Sequence, residues 1–307
     1  EVVGNDIKEI GKIVTSDKNI NKLISNIIWG QRGNYVSVPT DCPQRDERLG
    51  WTGDAQAFSV TASYNADVYP FFRKWMQDMR DSQGEDGGFA DVNPRVGYCK
   101  GQDASGWGDA GIIIPYNMYM MFGDDTILKE HYYSMEKYID GLIEKFDFSG
   151  PIPRYGDWLA YDKCENEFIS SAYFVHDIDL MIYISSVLGL DDKSEKFKKL
   201  RKKAYAYFKS NFMQGEYLRE NTQCNKILAL AFDLLGKKAA EKTANELELQ
   251  IKENDYRLSC GFLGTYNLCP ALSKYGKDKT VYNNNFKDIY DSIRDGSLAS
   301  DVLDELL

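Results

Sequence analysis

The residues from Thr40 to Gln56 read Thr-Asp-Cys-Pro-Gln-Arg-Asp-Glu-Arg-Leu-Gly-Trp-Thr-Gly-Asp-Ala-Gln. Four acids (Asp41, Asp46, Glu47 and Asp54), two arginines and a tryptophan share this short stretch. Pro43, Gly50 and Gly53 break any regular element, and an apolar helical pattern starts at Ala55. Rigid scaffolds place their reactive groups on loops of this kind. Carboxylates around a flat aromatic suit glycoside hydrolysis. One acid protonates the leaving oxygen, and a second carboxylate activates water or attacks the anomeric carbon. A tryptophan face covers the C–H side of a sugar ring, while arginine and aspartate hold hydroxyls.

Glu47 is the candidate acid. Trp51, four residues on, offers apolar cover that would raise its pKa, whereas Arg45 and Arg48 favour its ionised form. Asp54 stands at the expected start of a helix, where free backbone N–H groups and the helix dipole favour an anion, so it reads as an ionised hydroxyl binder. The blander reading is a capped, salt-bridged loop without chemistry.

This stretch resembles the signature of the bacterial α-L-rhamnosidases of glycoside hydrolase family 78, Asp-Cys-Pro-x-Arg-x-Glu-Arg-x-Gly-Trp-x-Gly-Asp, from Asp41 to Asp54. The resemblance continues in Gly106-Trp107-Gly108-Asp109-Ala110 and Tyr155-Gly156-Asp157-Trp158-Leu159. It resumes in Gly261-Phe262-Leu263-Gly264-Thr265 with Pro270-Ala271-Leu272. It implies an all-α, (α/α)6 barrel and an inverting mechanism with Glu47 as general acid. Asp41, Arg45, Trp51 and Asp54 would contact rhamnose, and Trp107 and Trp158 would wall the pocket. The family's general base is a glutamate in a pattern like Gly-x-Thr-Thr-hydrophobic-Trp-Glu, which is absent, as is a histidine further on. Asp301 fits the spacing from Glu47 best as a replacement base, with Glu305 and Glu167 as rivals.

Composition narrows the field. The chain has 307 residues, 43% of them hydrophobic, and a net charge of −10, which disfavours a nucleic-acid partner. Six cysteines lie scattered without metal-ligand spacing and read as reduced thiols or buried apolar residues. The two histidines, His131 and His176, are far apart, so a zinc hydrolase is disfavoured and no metal or cofactor is expected. No run of about 18 apolar residues suggests a membrane span, and no leader is evident; a cytoplasmic location is expected. The expected partner is a rhamnose-containing oligosaccharide or glycoside. A binding-only or truncated protein lacking its base, or an (α/α)6 glycosidase for another sugar, are the alternatives. A phosphorylase would need a basic, Gly-rich phosphate cradle, and none is present.

The elements that must position these residues are helices. Residues 1–15 read as a lead-in from an upstream region, and 16–307 as one barrel incomplete at its C-terminal end. Helices are expected over 17–29, 54–64, 68–83, 109–122, 126–146, 169–188, 193–212, 222–235, 238–253, 266–274 and 281–293. Trp75 sits in an apolar stripe and reads as core, the lysines of the 193–212 helix as a solvated face, and 84–107 as a long loop on the pocket rim. Gly-Asp recurs at 53–54, 108–109 and 156–157, each next to a tryptophan. A spacing of about fifty residues is one helical hairpin, and six such hairpins make a closed array of about 300 residues.

Overall fold

The computed structural model describes residues 4–97, 99–151 and 153–281. Asp17 opens α1 (Lys18–Asn34) by accepting the Asn19 and Ile20 N–H groups at 2.7 and 3.3 Å. The helix runs five residues beyond its expected end, through Gly30 and Gly33. The buried Gln31 side chain explains this: its amide donates to the Ala62 carbonyl and its oxygen accepts from Asn65. α2 (Thr52–Asn65) and α3 (Tyr69–Asp81) follow, α3 with Pro70 in its first turn, where the missing N–H costs nothing. The irregular 82–109 segment then leads to α4 (Ala110–Phe122), which ends at Gly123 in the left-handed region (φ 71°). α5 (Thr126–Phe146) matches its expected bounds.

α6 (Asn166–Val187) begins three residues earlier than expected, so Glu167 lies in its first turn and not in a loop. α7 (Asp191–Phe212) leads into a hairpin of β1 (Met213–Gln214) and β2 (Tyr217–Leu218), which the sequence reading lacked. Thr222 caps α8 (Gln223–Ala231). α9 (Lys237–Glu253) and α10 (Phe262–Ser273) complete the set of ten α-helices among the described residues. α10 starts four residues before its expected position, inside Gly261–Thr265. The expected 281–293 helix, Asp301 and Glu305 lie outside the described residues.

The chain divides into two compact units. The first comprises Glu1–Lys145 and Asp177–Lys198. Here α4 packs on α2 and α3. The core holds Phe72, Trp75, Met76 and Met79 of α3, Ile112 and Ile114 of α4, and Met135, Tyr138 and Leu142 of α5. Trp75 is fully buried and donates its indole N–H to the Asn93 carbonyl at 3.0 Å, as befits a core residue. The lead-in is pinned to the end of α2 through Ile10 and Gly11 N–H groups on the Asn65 carbonyl. Lys193 and Lys196 are not purely solvated, for both hold Glu136.

The second unit comprises Phe146–His176 and the residues from Lys199 on. α8 packs on α9 and α10. Phe168, Tyr173 and Phe174 of α6 join Phe208 of α7, Leu228 of α8, Leu247 of α9 and Leu268 of α10 in its core. No described helix is long and apolar enough to cross a membrane.

Candidate active site

Two strips of irregular backbone hold the acidic loop in the first unit. Thr52 donates both its N–H and its hydroxyl to the Asp91 carbonyl, each at 3.0 Å, and Asn93 N–H donates to the Gly50 carbonyl at 2.8 Å. Gly50 is required: a Cβ there would come within 2.1 Å of the Asn93 oxygen. Asp41 N–H donates to the Leu49 carbonyl at 3.1 Å, which closes the 41–49 excursion. Arg48 adopts φ 52° at its tip and donates to the Pro43 carbonyl.

This closure gathers the acids. Oxygens of Asp41 and Glu47 and the Cys42 sulfur all lie within 4.8 Å of one another. Glu47 is engaged on both oxygens. Oε1 accepts the Trp51 indole N–H at 2.8 Å, and Oε2 pairs with the Arg45 guanidinium at 2.9 Å. The expectation that Trp51 covers Glu47 with an apolar face gives way to a direct hydrogen bond. Asp41 Oδ1 is enclosed and accepts no hydrogen bond. Burial, with the Asp41 carboxylate beside it, pushes the Cys42 thiol up to about 12.

Asp54 has its carboxyl raised. It lies in the first turn of α2, where the dipole favours the anion. Burial outweighs that, and the Asp41 and Glu47 charges add to it, so its carboxyl is pushed up to about 6. Asp54 therefore holds a proton in mildly acidic solution.

Trp107 lies under the same loop, 5% exposed, pressed against the first turn of α2. A Cβ on Gly53 would meet its indole at 2.8–2.9 Å. Below it, Asp109 accepts the Gly106 N–H and the Tyr138 hydroxyl, the latter at 3.1 Å. Asp109 and Asp177 are both buried, and among the described residues neither Asp177 oxygen meets a hydrogen-bond donor. Burial pushes Asp109 up to about 6 and, with the Asp109 charge, raises Asp177 well above the carboxylate range. Sequence reading missed Asp177, which has no motif around it and meets Asp109 only through the fold.

Trp158 belongs to the second unit, on an exposed turn, and its indole lies edge-on to Tyr155 at 6.4 Å. Glu167 also lies there. The histidines carry no acid–base site. His131 is buried against Arg80, and burial pushes it down to about 3. His176 stacks on Phe232 at 4.1 Å, and burial pushes it down to about 4.

Comparison with known proteins gives this arrangement a context. An α-L-rhamnosidase of Formosa agariphila is 38% identical over 299 residues, covering 94% of this chain and 32% of its own length. One of Streptomyces avermitilis is 39% identical over 273 residues, covering 86% and 26%. The crystal structure of a Streptomyces avermitilis α-L-rhamnosidase complexed with L-rhamnose superposes with a TM-score of 0.86 at 36% identity, covering 90% of this chain and 27% of that one. The native Aspergillus terreus enzyme superposes with a TM-score of 0.85 at 33% identity, covering 91% and 34%. The chain spans about a third or less of the length of these relatives. Residues 8–292 match the family described as the bacterial alpha-L-rhamnosidase 6 hairpin glycosidase domain. The helical composition and these superpositions identify the fold as the all-α six-hairpin, (α/α)6 class. The chain belongs to the six-hairpin glycosidase domain family of the bacterial α-L-rhamnosidases.

Proposed function

We propose that this chain carries the catalytic acid of an enzyme that hydrolyses terminal α-L-rhamnosides with inversion. The observation that supports this most directly is the convergence of Asp41, Glu47 and Asp54 on one loop with Trp51 and Arg45, in a member of a rhamnosidase family. Asp41 and Glu47 lie close together, and burial with their charges pushes the Asp54 carboxyl up to about 6, so Asp54 takes up a proton just below neutral pH. Glu47 delivers the proton to the glycosidic oxygen. To do so it must carry that proton on an oxygen now held by Trp51 or Arg45, so one donor turns away when substrate binds. The exposed Arg45 is the mobile one; it moves to a sugar hydroxyl and releases Glu47 Oε2. Asp41 and Asp54 hold sugar hydroxyls, and Trp107 contributes an aromatic wall. A second carboxylate roughly 6.5–9.5 Å from Glu47 activates water on the opposite face.

The test is release of nitrophenol from an aryl α-L-rhamnoside, with proton NMR on the first-formed sugar. Turnover with β-L-rhamnose appearing first, and a loss of about 10²–10⁴ in rate in folded Glu47→Gln, are expected. Wild-type turnover in Glu47→Gln, or α-L-rhamnose as the first product, refutes the mechanism. Rhamnose binding without turnover would identify a binding-only site.

A further inference from the structure

The second unit contains a cleft of about 300 Å³ with a buried lysine in its wall. Tyr217 of β2 and Asn221 of the connection to α8 form one side. Lys242, Thr243 and Glu246 of α9 form the other, and Lys226 enters from the first turn of α8.

Lys226 is costly where it stands. It is 6% exposed, and a buried ammonium needs an anion or several acceptors. Among the described residues its Nζ donates one hydrogen bond, to the neutral Gln250 Oε1 at 3.0 Å, and has no carboxylate at ion-pair distance. The start of a helix is moreover the wrong end for a cation. α10, in the same unit, meets that rule with an acid: from the Trp158 turn, Asp157 Oδ2 accepts the Gly261 N–H at 2.7 Å, and Oδ1 accepts those of Leu263 and Gly264 at 2.8 and 3.0 Å. α8 has a lysine in the corresponding turn. Burial pushes the Lys226 pKa down, against the pull of Glu246. Glu246 is engaged with another cation, for Lys242 Nζ lies 3.6 Å from its carboxylate and 4.2 Å from the centre of the Tyr217 ring. A lysine serving the fold alone would extend its ammonium to water or pair with an acid.

An anion reaching Lys226 would gain a charge-assisted hydrogen bond in a partly desolvated place and offset the cost of the unpaired charge. Lys242 adds a second positive charge to the same lining. Glu246 limits the tolerable charge, favouring a single carboxylate over a phosphate dianion, and it accepts hydroxyl protons. Asn221 and Thr243 offer further donors and acceptors for hydroxyls. The volume exceeds that of a bare carboxylate and lies at the small end of the range for organic ligands.

We propose that this cleft binds a small polyhydroxylated monocarboxylate, with Lys226 holding the carboxylate and Asn221, Thr243 and Glu246 its hydroxyls. The site lies wholly within the second unit and does not depend on the rhamnosidase reading.

D-Gluconate and sorbitol test it, because they differ only in a carboxylate against a CH₂OH group. Both are titrated into the whole chain by isothermal calorimetry at matched ionic strength. Gluconate should bind with a Kd of about 1 mM, and sorbitol about ten-fold more weakly or less. Lys226→Met keeps the length of the side chain and loses the charge; far-UV circular dichroism checks its fold. It should weaken gluconate about ten-fold, the worth of one charge-assisted hydrogen bond. In the wild type, brief labelling with acetic anhydride, read by mass spectrometry, should modify Lys226 about five-fold more slowly when gluconate occupies most of the sites. The exposed Lys237 and Lys238 should be labelled at an unchanged rate. Equal affinity for gluconate and sorbitol overturns the role of the charge. Unchanged gluconate affinity in folded Lys226→Met, or Lys226 labelling indifferent to gluconate, overturns the site, as does the absence of binding at about 50 mM gluconate. Inorganic phosphate that protects Lys226 as well as gluconate does would make the cleft a general oxyanion site and overturn the hydroxylated carboxylate. Should Lys226→Met fold poorly, labelling of the wild type alone decides.

Discussion

Replacing Asp54 by asparagine should make the protein more stable at neutral pH and leave it unchanged in acid. The folded-state carboxyl is pushed up to about 6 from an ordinary value of 3.8. Between those values the native state binds more protons than the unfolded chain. Stability therefore falls as pH rises from about 4 to about 6 and is level above that. Two units at 1.36 kcal/mol each set a ceiling of about 3 kcal/mol. Asp54 is only half-buried, so solvent screening reduces this to about 1–2 kcal/mol. Asparagine carries no charge and keeps the shape, which removes the penalty at neutral pH alone. Unfolding entropy of about 2.1 cal/mol/K per residue makes 1 kcal/mol worth about 1.6 °C in a chain of 307 residues. The expected gain in Tm is then about 2–3 °C at pH 7.5 and about zero at pH 4. The decisive quantity is the difference between the two gains, because effects of asparagine unrelated to charge cancel in it. A difference of zero, or a larger gain at pH 4, would show that burial and the Asp41 and Glu47 charges do not act on Asp54 as argued. The same substitution should weaken the rhamnoside KM, a trade of binding for stability at a site built from crowded charges.

Gly53→Ala should destabilise the first unit by about 1–3 kcal/mol in urea unfolding, because its methyl overlaps the Trp107 indole in a space with no slack. Asp177→Asn should cost less than about 1 kcal/mol, since burial already keeps Asp177 protonated and an amide of the same shape is likewise uncharged. Asp109→Asn should cost about 1–3 kcal/mol, because its NH₂ cannot accept from both Gly106 and Tyr138; equal costs would remove the assignment of the proton. Arg45→Met should raise KM for the aryl rhamnoside and leave the far-UV spectrum intact, and an unchanged KM would take Arg45 out of the sugar contacts.

Legibility in the sequence followed the reach of the interactions. α5 was readable to the residue because a turn at Gly123-Asp124-Asp125 and an amphipathic run define it locally. The acidic loop was readable because its chemistry lies within Asp41–Asp54. α1 outran its expected end because Gly30 and Gly33 look like stops, while the Gln31 bonds to Ala62 and Asn65 that carry the helix on are made across 31 and 34 positions. α10 began early because its cap, Asp157, is remote in sequence. The Gly-Asp rhythm did mark helix starts, but for Asp157 the helix concerned is α10 and not the next one along. The raised Asp54 carboxyl was not legible because the helix start is local and visible, whereas the depth of burial that outweighs it is set by packing.

The span between Asp157 and its partners also has a consequence for how the chain folds. Thr52 meets Asp91 across 39 positions, whereas Asp157 meets Gly261, Leu263 and Gly264 across 104 to 107. Closing the longer loop costs about 0.9 kcal/mol more entropy. On a ribosome, the strip that holds the acidic loop is complete once residue 93 has emerged. The Trp158 turn must wait for about a hundred further residues, some 5–20 s of synthesis, before its anchor exists. The backbone partners of the acid loop and the anchor of the aromatic turn therefore leave the ribosome at different moments of the chain's synthesis.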